Sequence, residues 1–171
     1  MANQTVSKVS TLGSFKESAR KVIVQNIRYS DRGNGGTYAD NDTATLTIPV
    51  LAGEIVEAVG VKLITAFDDS GAGDELAVEV GDGDDANGFV TTADLHTDQT
   101  EITYVYNTGI YFIGEAGTTD PVNATNGKLY LEDDTIDILI TPNLATGTDY
   151  NLGELTAGEF EVKVYITSLN S

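Results

Sequence analysis

The stretch of this chain with the densest set of possible metal ligands is a short acidic loop, Gly81 to Gly88, with the sequence GDGDDANG. Its candidate metal ligands are Asp82, Asp84, Asp85 and Asn87. Calcium and magnesium take oxygen ligands, which these side chains and nearby backbone carbonyls would supply. The spacing is not that of an EF-hand, because Ala86 stands at the third ligand position and Ala93 where the closing glutamate belongs. Two interpretations stay open: a calcium site, or a solvated acidic turn.

The single histidine, His96, stands between Asp94 and Asp98. In an extended chain these three side chains point to one side, as in a minimal acid–base or metal site. No second cluster accompanies them, and no Gly-x-Ser-x-Gly elbow supplies a nucleophilic serine. The 27 acidic residues allow many carboxylate pairs, but nothing selects one pair for glycoside hydrolysis. We therefore expect no catalytic residues and a protein that is not an enzyme.

The elements that position these residues are segments of alternating apolar and polar residues, which are typical of half-buried β-strands. Thr43 to Val50 has the cleanest alternation. Its Pro49 indicates a sheet edge or a strand end, because proline lacks an amide hydrogen. The last segment, Glu159 to Thr167, alternates as regularly, with Phe160 and every second residue after it on the face predicted to enter the core, and it is predicted to lie inside a sheet.

Two further segments flank a turn rich in glycine and aspartate, just before the acidic loop. The first, Glu57 to Phe67, places Glu57 on the same face as Val59 and Val61. The second, Leu76 to Val80, alternates in the same way. Such a pair of segments predicts a β-hairpin, with its register set by the apolar pattern.

Together these patterns predict an all-β fold, an antiparallel β-sandwich of about eight strands. A chain of 171 residues fits one domain that buries about 70% of the surface of its unfolded chain. The absence of cysteine excludes disulfides and thiolate chemistry. No run reaches the ~18 apolar residues of a membrane span, and no basic region followed by a hydrophobic block opens the chain. We expect a soluble protein without a cleaved signal.

Charge divides the chain into two parts. Residues 1–32 hold six basic and two acidic residues, a net charge of +4, whereas the remainder holds three basic and 25 acidic residues, a net charge of −22. The acidic part would repel phosphate backbones and anionic lipid, so neither nucleic acid nor a membrane is an expected partner. The basic part could contact DNA, but it lacks a basic cluster, and an acidic protein surface suits it as well. A salty habitat would also account for the acidity.

The boundary predicted from these patterns separates an extended N-terminal arm, residues 1–20, from a β-sandwich body, residues 21–171. The arm is polar and lacks an apolar period, so it has nothing of its own to pack on and is expected to become ordered on a partner. The residues expected to bind that partner are Lys8, Phe15, Lys16, Arg20, Lys21 and Arg28.

Several segments carry a resemblance to a known family. They are AGEIVEAVGVKLITAFDDSGAGDELAVEVGDGDDANGF, the TTADL loop after it, DDTIDILITP, and the closing TAGEFEVKVYITSL. This pattern, over residues 48–169, resembles a β-sandwich family of structural proteins of tailed phages, whose members are usually head decoration (cement) or other virion surface proteins. The resemblance implies a jelly-roll topology, which alternation alone does not distinguish from other sandwiches.

The function implied by the resemblance is that of a viral structural protein on the outer surface of the head. It would bind the major capsid protein and copies of itself, as a homotrimer by preference or as a dimer, and would stabilise the shell through the arm and inter-subunit contacts. No cofactor is expected apart from the calcium considered above. The alternative is a tail- or head-associated receptor or carbohydrate-binding module, for which the eight tyrosines would supply rings.

Overall fold

The computed structural model of the chain describes residues 3–8, 19–31, 43–69, 75–95, 104–113, 127–143 and 152–169. Its strands are β1 (Asn3–Lys8), β2 (Ala19–Arg28), β3 (Ala44–Val50), β4 (Glu54–Asp69), β5 (Glu75–Gly81), β6 (Val90–Asp94), β7 (Tyr104–Tyr106), β8 (Lys128–Leu129), β9 (Asp134–Asn143) and β10 (Leu155–Ser168). One helical turn, α1 (Ile110–Ile113), and two 3-10 turns, Tyr29–Asp31 and Leu152–Glu154, complete the described elements. None of the described helices has the length and apolar character needed to cross a bilayer.

The strands form two antiparallel sheets, which confirms the predicted all-β sandwich. Sheet A has the order β1-β2-β10-β4-β7, with β8 also paired to β4, and sheet B has the order β3-β9-β5-β6. Apart from β1 and the short β8, each sheet therefore has four strands. Two four-stranded sheets are also what the predicted jelly roll requires, but that topology stays a prediction.

The core lies between the sheets and follows the alternation in the sequence. In β10, every second residue from Phe160 to Ile166 is fully buried. This strand lies between β2 and β4, so the prediction of an internal C-terminal strand is confirmed. In β3, Ala44, Ile48 and Val50 are buried, and the strand lies at the edge of sheet B. The edge position predicted from Pro49 is therefore confirmed.

The predicted hairpin of β4 and β5 is wrong. The strand β4 pairs with β10, β7 and β8 in sheet A, whereas β5 pairs with β9 and β6 in sheet B. Each strand has a buried apolar face and can form backbone hydrogen bonds along both of its edges. The alternation of its residues therefore does not determine which strand it pairs with. Placing the two strands in opposite sheets lets Leu63 and Phe67 of β4 and Val78 and Val80 of β5 enter one core.

Glu57 does not share the buried face of β4 as the simple alternation predicts. Tyr165 pairs with Ala58 and the next residue, Ile166, pairs with Val56, so β4 bulges at Glu57. A bulge adds one unpaired residue and shifts the alternation by one position. Val56 and Val59 are both buried as a result.

The N-terminal segment differs from the predicted arm in two respects. Residues Asn3–Lys8 form β1 and pair in register with β2, from Asn3 opposite Val24 to Lys8 opposite Ala19. In addition β2 begins at Ala19, two residues before the predicted start of the body. An edge strand leaves a row of backbone donors and acceptors open, and a polar segment pairs with it as well as an apolar one. The N-terminal segment therefore pairs with a sheet of its own sandwich.

Candidate functional site

The most developed polar site in the described residues joins the two sheets at one end of the sandwich. Asp82 follows the last residue of β5, in sheet B, while Lys128 opens β8, in sheet A. Tyr130 follows β8, and Tyr111 belongs to α1. We call these four residues the Asp82–Lys128 cluster. It draws on segments that are far apart in the sequence.

The acidic loop folds around the Asp82 carboxylate. Oδ1 of Asp82 accepts hydrogen bonds from the backbone N–H groups of Asp84, at 3.1 Å, and Asp85, at 3.2 Å. The backbone of Asp82 in turn donates to the carbonyl of Asp85 at 2.9 Å. Aspartate readily forms such local turns with its own backbone. Gly88 closes the loop where the Tyr111 ring lies so close that a Cβ atom would come within 2.2 Å of it.

The Asp82 side chain has no exposed surface, yet both of its oxygens are well supplied with donors. The Tyr111 hydroxyl donates to Oδ1 at 2.8 Å and the Tyr130 hydroxyl donates to Oδ2 at 2.7 Å. The Lys128 ammonium donates to Oδ2 at 2.5 Å. With the two backbone N–H groups, the carboxylate accepts five hydrogen bonds, which offset the cost of its burial.

Lys128 reaches this carboxylate because of the residue before it. Gly127 has a φ of 117°, and a Cβ atom there would come within 2.0 Å of the Val56 carbonyl oxygen; only glycine suits this position. The Lys128 Nζ also donates to Oδ2 of exposed Asp84 at 2.9 Å and to the Tyr111 hydroxyl at 3.2 Å. It lies 4.6 Å from the centre of the Tyr111 ring, within cation–π range.

The hydrogen bonds within the Asp82–Lys128 cluster determine which of its side chains are charged. Burial alone would raise the pKa of Asp82, but the hydrogen bonds from Lys128, Tyr130 and Tyr111 lower it below its ordinary value. Burial would likewise lower the pKa of Lys128, but its hydrogen bonds to Asp82 and Asp84 raise it. Burial and the Asp82 carboxylate raise the pKa of Tyr130. The resting state is therefore an ion pair flanked by neutral tyrosines.

The predicted calcium ligands do not converge in the structure. Asp82 points inward to Lys128, Asp84 has an 82% exposed side chain, and Asp85 accepts a hydrogen bond from the backbone of Asn87 at 3.1 Å. Within the part of the chain that the structure describes, no group of three or more acidic or histidine side chains is arranged to hold a metal. The cation beside this loop is the lysine ammonium. Calcium binding stays a prediction.

Three of the six residues predicted to bind a partner form ion pairs within the chain. Arg20 lies 3.0 Å from Glu57, Lys21 lies 2.6 Å from Glu54, and Arg28 lies 3.5 Å from Glu159. The other three were Lys8, Phe15 and Lys16. Lys8 ends β1, while Phe15 and Lys16 fall outside the described residues, as does His96. Whether any of the six binds a partner stays a prediction.

The pair of Lys21 and Glu54 is the most enclosed of these contacts. The Glu54 side chain is 6% exposed and that of Lys21 is 17% exposed. Glu54 also accepts a hydrogen bond from the backbone of Leu51 at 3.0 Å. A buried pair of this kind links β2 to the start of β4 across the intervening strand β10, so Lys21 has a structural role in the body.

A second candidate site is an open groove of about 780 Å³ across sheet A and α1. Arg20 and Glu57, which form an ion pair, line it together with Tyr106, Phe112 and Tyr165. Tyr106 is 45% exposed and Tyr165 is 37% exposed. Partly exposed rings beside charged groups are suited to binding a ligand that has both apolar faces and hydroxyl groups.

Sequence reasoning found Asp82 but missed Tyr111, Lys128 and Tyr130. Lys128 is 46 residues from Asp82, and no local spacing connects them. One signal was available: Lys128 is one of three basic residues after position 32. A rare lysine among 25 acidic residues is a candidate for an internal ion pair.

Comparisons with known proteins add little. No family model matches the chain, and no curated protein matches it. Among solved structures, the chain is similar to one described as "Cyanophage Pam1 capsid asymmetric unit", with 19% sequence identity and a TM-score of 0.46. The match covers 95% of this chain and 94% of that one. At this identity and score, the likeness carries nothing about function.

Proposed function

We propose that this chain is a viral structural protein, a head decoration protein that attaches to the outer surface of the capsid through its N-terminal strand. The observation that carries the proposal is the placement of β1. This strand contacts the rest of the described chain chiefly through β2. Among the residues whose burial the structure describes, the first buried core residue is Ile27. The described core residues all belong to the body, and the backbone ladder with β2 is the contact that β1 would exchange for pairing with another partner.

Backbone pairing is what makes such an exchange feasible. The strand β2 presents the same row of backbone groups to β1 whichever molecule supplies that strand, because the ladder hydrogen bonds do not depend on side chains. The ten residues between β1 and β2 span up to about 33 Å when extended. That length reaches a neighbouring subunit or the shell beneath. In the free monomer β1 covers its own sheet edge, which limits aggregation.

The distribution of charge along the chain also favours binding of the N-terminal segment to a neighbouring copy. Lys8 and Lys16 precede β2, whereas the chain after residue 32 carries a net charge of −22. The basic segment of one copy is attracted to the acidic body of the next, and an acidic outer surface keeps decorated particles apart in solution. The partners proposed are the major capsid protein and copies of this chain, in a trimer by preference.

The test is deletion of residues 1–18, which removes β1 and its connection but keeps β2 with Arg20 and Lys21. We expect the truncated chain to retain a cooperative unfolding transition and its far-UV circular dichroism, because the core is intact. We expect it to lose co-sedimentation with purified capsids of the phage that encodes it. Deletion of residues 1–2 alone, which leaves β1 whole, is the matched control and should bind normally.

Undiminished binding of the truncated chain would remove the attachment role of the N-terminal strand. The location is checked separately by counting copies per virion with quantitative mass spectrometry. Hundreds of copies on the head agree with decoration, whereas a few copies at the tail contradict it.

The groove supports a second candidate, a carbohydrate-binding module, because Tyr106, Tyr165 and Phe112 expose rings beside the pair of Arg20 and Glu57. In this case we expect the full chain to bind a defined set of sugars on a glycan array at micromolar concentration. The substitution Tyr165→Ala should reduce the signal at least tenfold. Leu131→Ala, at a residue that is 81% exposed and does not line the groove, is the control. Absence of any signal above background would exclude this candidate.

A further inference from the structure

The contact between Lys128 and Asp82 holds an amine directly against a carboxyl group. The amine nitrogen lies 2.5 Å from Oδ2, the Asp82 side chain has no exposed surface and that of Lys128 is 18% exposed. Asp82 directly follows β5 of sheet B and Lys128 begins β8 of sheet A, and the chain contains no cysteine that would link the sheets covalently. We propose that Lys128 and Asp82 condense, after folding, into an intramolecular amide (isopeptide) bond that joins sheet A to sheet B.

The condensation balances from the ion pair alone. One proton moves from the Lys128 ammonium to Oδ2 of Asp82 along the hydrogen bond that already joins them, which leaves a neutral amine and a carboxylic acid. The amine nitrogen then attacks Cγ of Asp82. A second proton leaves the nitrogen and is delivered to the departing Oδ2 hydroxyl, which is released as water. The third proton stays on the amide nitrogen, so no oxidant, reductant or cofactor is consumed.

The neighbouring groups supply what each step needs. Oδ1, on which negative charge develops during the attack, is held by the N–H groups of Asp84 and Asp85 and by the Tyr111 hydroxyl; this is an oxyanion-hole arrangement. The Tyr130 hydroxyl donates to Oδ2, the leaving oxygen, at 2.7 Å. Oδ2 of Asp84 lies 2.9 Å from the amine and is the group that carries the second proton.

The enclosure of the pair explains why condensation is favoured here and not in water. Holding an amine against a carboxyl group raises its effective concentration to about 10⁵–10⁸ M, as measured for well-oriented intramolecular reactions. The rings of Phe89 and Tyr111 pack edge to face with their centres 4.9 Å apart, so the tyrosine that holds Oδ1 is itself fixed in place. The released water leaves on the side of exposed Asp84. The five donors around the carboxylate also stabilise the ion pair, so the bond forms as a slow step in the folded chain.

The test is the intact mass of the purified, denatured protein. We expect the wild-type chain to be lighter than its sequence predicts by one water molecule. Lys128→Arg keeps the positive charge but cannot condense, and it should have its full sequence mass when made in the same host. Asp82→Asn should be lighter by one ammonia molecule, because the amide nitrogen of asparagine is then the leaving group. A protease digest of the wild-type chain should contain one branched peptide joining residues 82 and 128.

Circular dichroism of Lys128→Arg checks that the control is folded, so that its full mass reports only the missing bond. Asp84→Ala, at an exposed position, should leave a larger uncondensed fraction than the wild type after the same incubation. A folded wild-type chain with its full sequence mass and no branched peptide would overturn the proposal, and the contact would then be an ion pair only.

Discussion

In the uncondensed chain, where Lys128 and Asp82 form an ion pair, replacing Asp82 with alanine is expected to lower the free energy of unfolding by about 3 kcal/mol, the low end of the range for breaking a buried ion pair. The substitution leaves the Lys128 ammonium and the Tyr130 hydroxyl without the acceptor that both now use. The low end applies because Lys128 is still 18% exposed and keeps Asp84 as a second acceptor. Urea denaturation followed by circular dichroism measures the loss.

The matched control for this experiment is Asp84→Ala, two residues away in the same loop. Its carboxylate also contacts Lys128, but the side chain is 82% exposed, so the stability of the uncondensed chain, in which both variants are compared, should change by no more than about 0.5 kcal/mol. If Asp82→Ala behaves like this control, the buried cluster contributes little to stability and the sheets are held by apolar packing alone.

The largest expected loss from apolar packing comes from Phe160→Ala, at about 4 kcal/mol. Phe160 is fully buried on β10, the central strand of sheet A, and its ring centre is 5.8 Å from that of Phe67 on β4. Truncation removes the contact surface and leaves a cavity that strands paired on both sides cannot collapse to fill. The measurement is again the free energy of unfolding in urea, with the m-value as a check on two-state behaviour.

Tyr165→Ala on the same strand is the control for Phe160→Ala. Tyr165 is 37% exposed, so its removal should cost about 1 kcal/mol or less. Equal losses for the two variants would contradict the assignment of the core to the face that carries Phe160.

The core position of Phe160 could be predicted from the sequence, whereas the ion pair of Asp82 could not. Phe160 was expected in the core because period-two alternation is local: successive side chains of a strand point to opposite faces whatever the strand pairs with. A second local property, the missing amide hydrogen of Pro49, predicted a sheet edge or a strand end at β3, and the strand lies at an edge. Alternation alone failed at Glu57, because a bulge depends on how β10 lies against β4, and nothing in the β4 sequence alone marks it.

The assignment of strands to sheets was also beyond local reasoning. The turn between β4 and β5 has the composition of a hairpin turn, yet the two strands pair with β10 and β9, which come much later in the chain. Backbone ladders form between any two extended segments, so the choice of partner is made by the fit of the whole core. The placement of β1 on β2 has the same origin.

For the acidic loop, the sequence alone established that Asp82 stands among glycines and other acidic residues, and it left open whether a cation lies beside it. Only the tertiary structure supplied the cation, by bringing Lys128 from 46 residues away to the end of β5 and enclosing the pair with Tyr111 and Tyr130. The composition, the division of charge and the periodicity of the strands can be read without knowing which segments meet in space, so the sequence determines them directly. Strand partners, the bulge and the buried ion pair arise from contacts between distant segments, whose energies exist only once the two sheets have packed together.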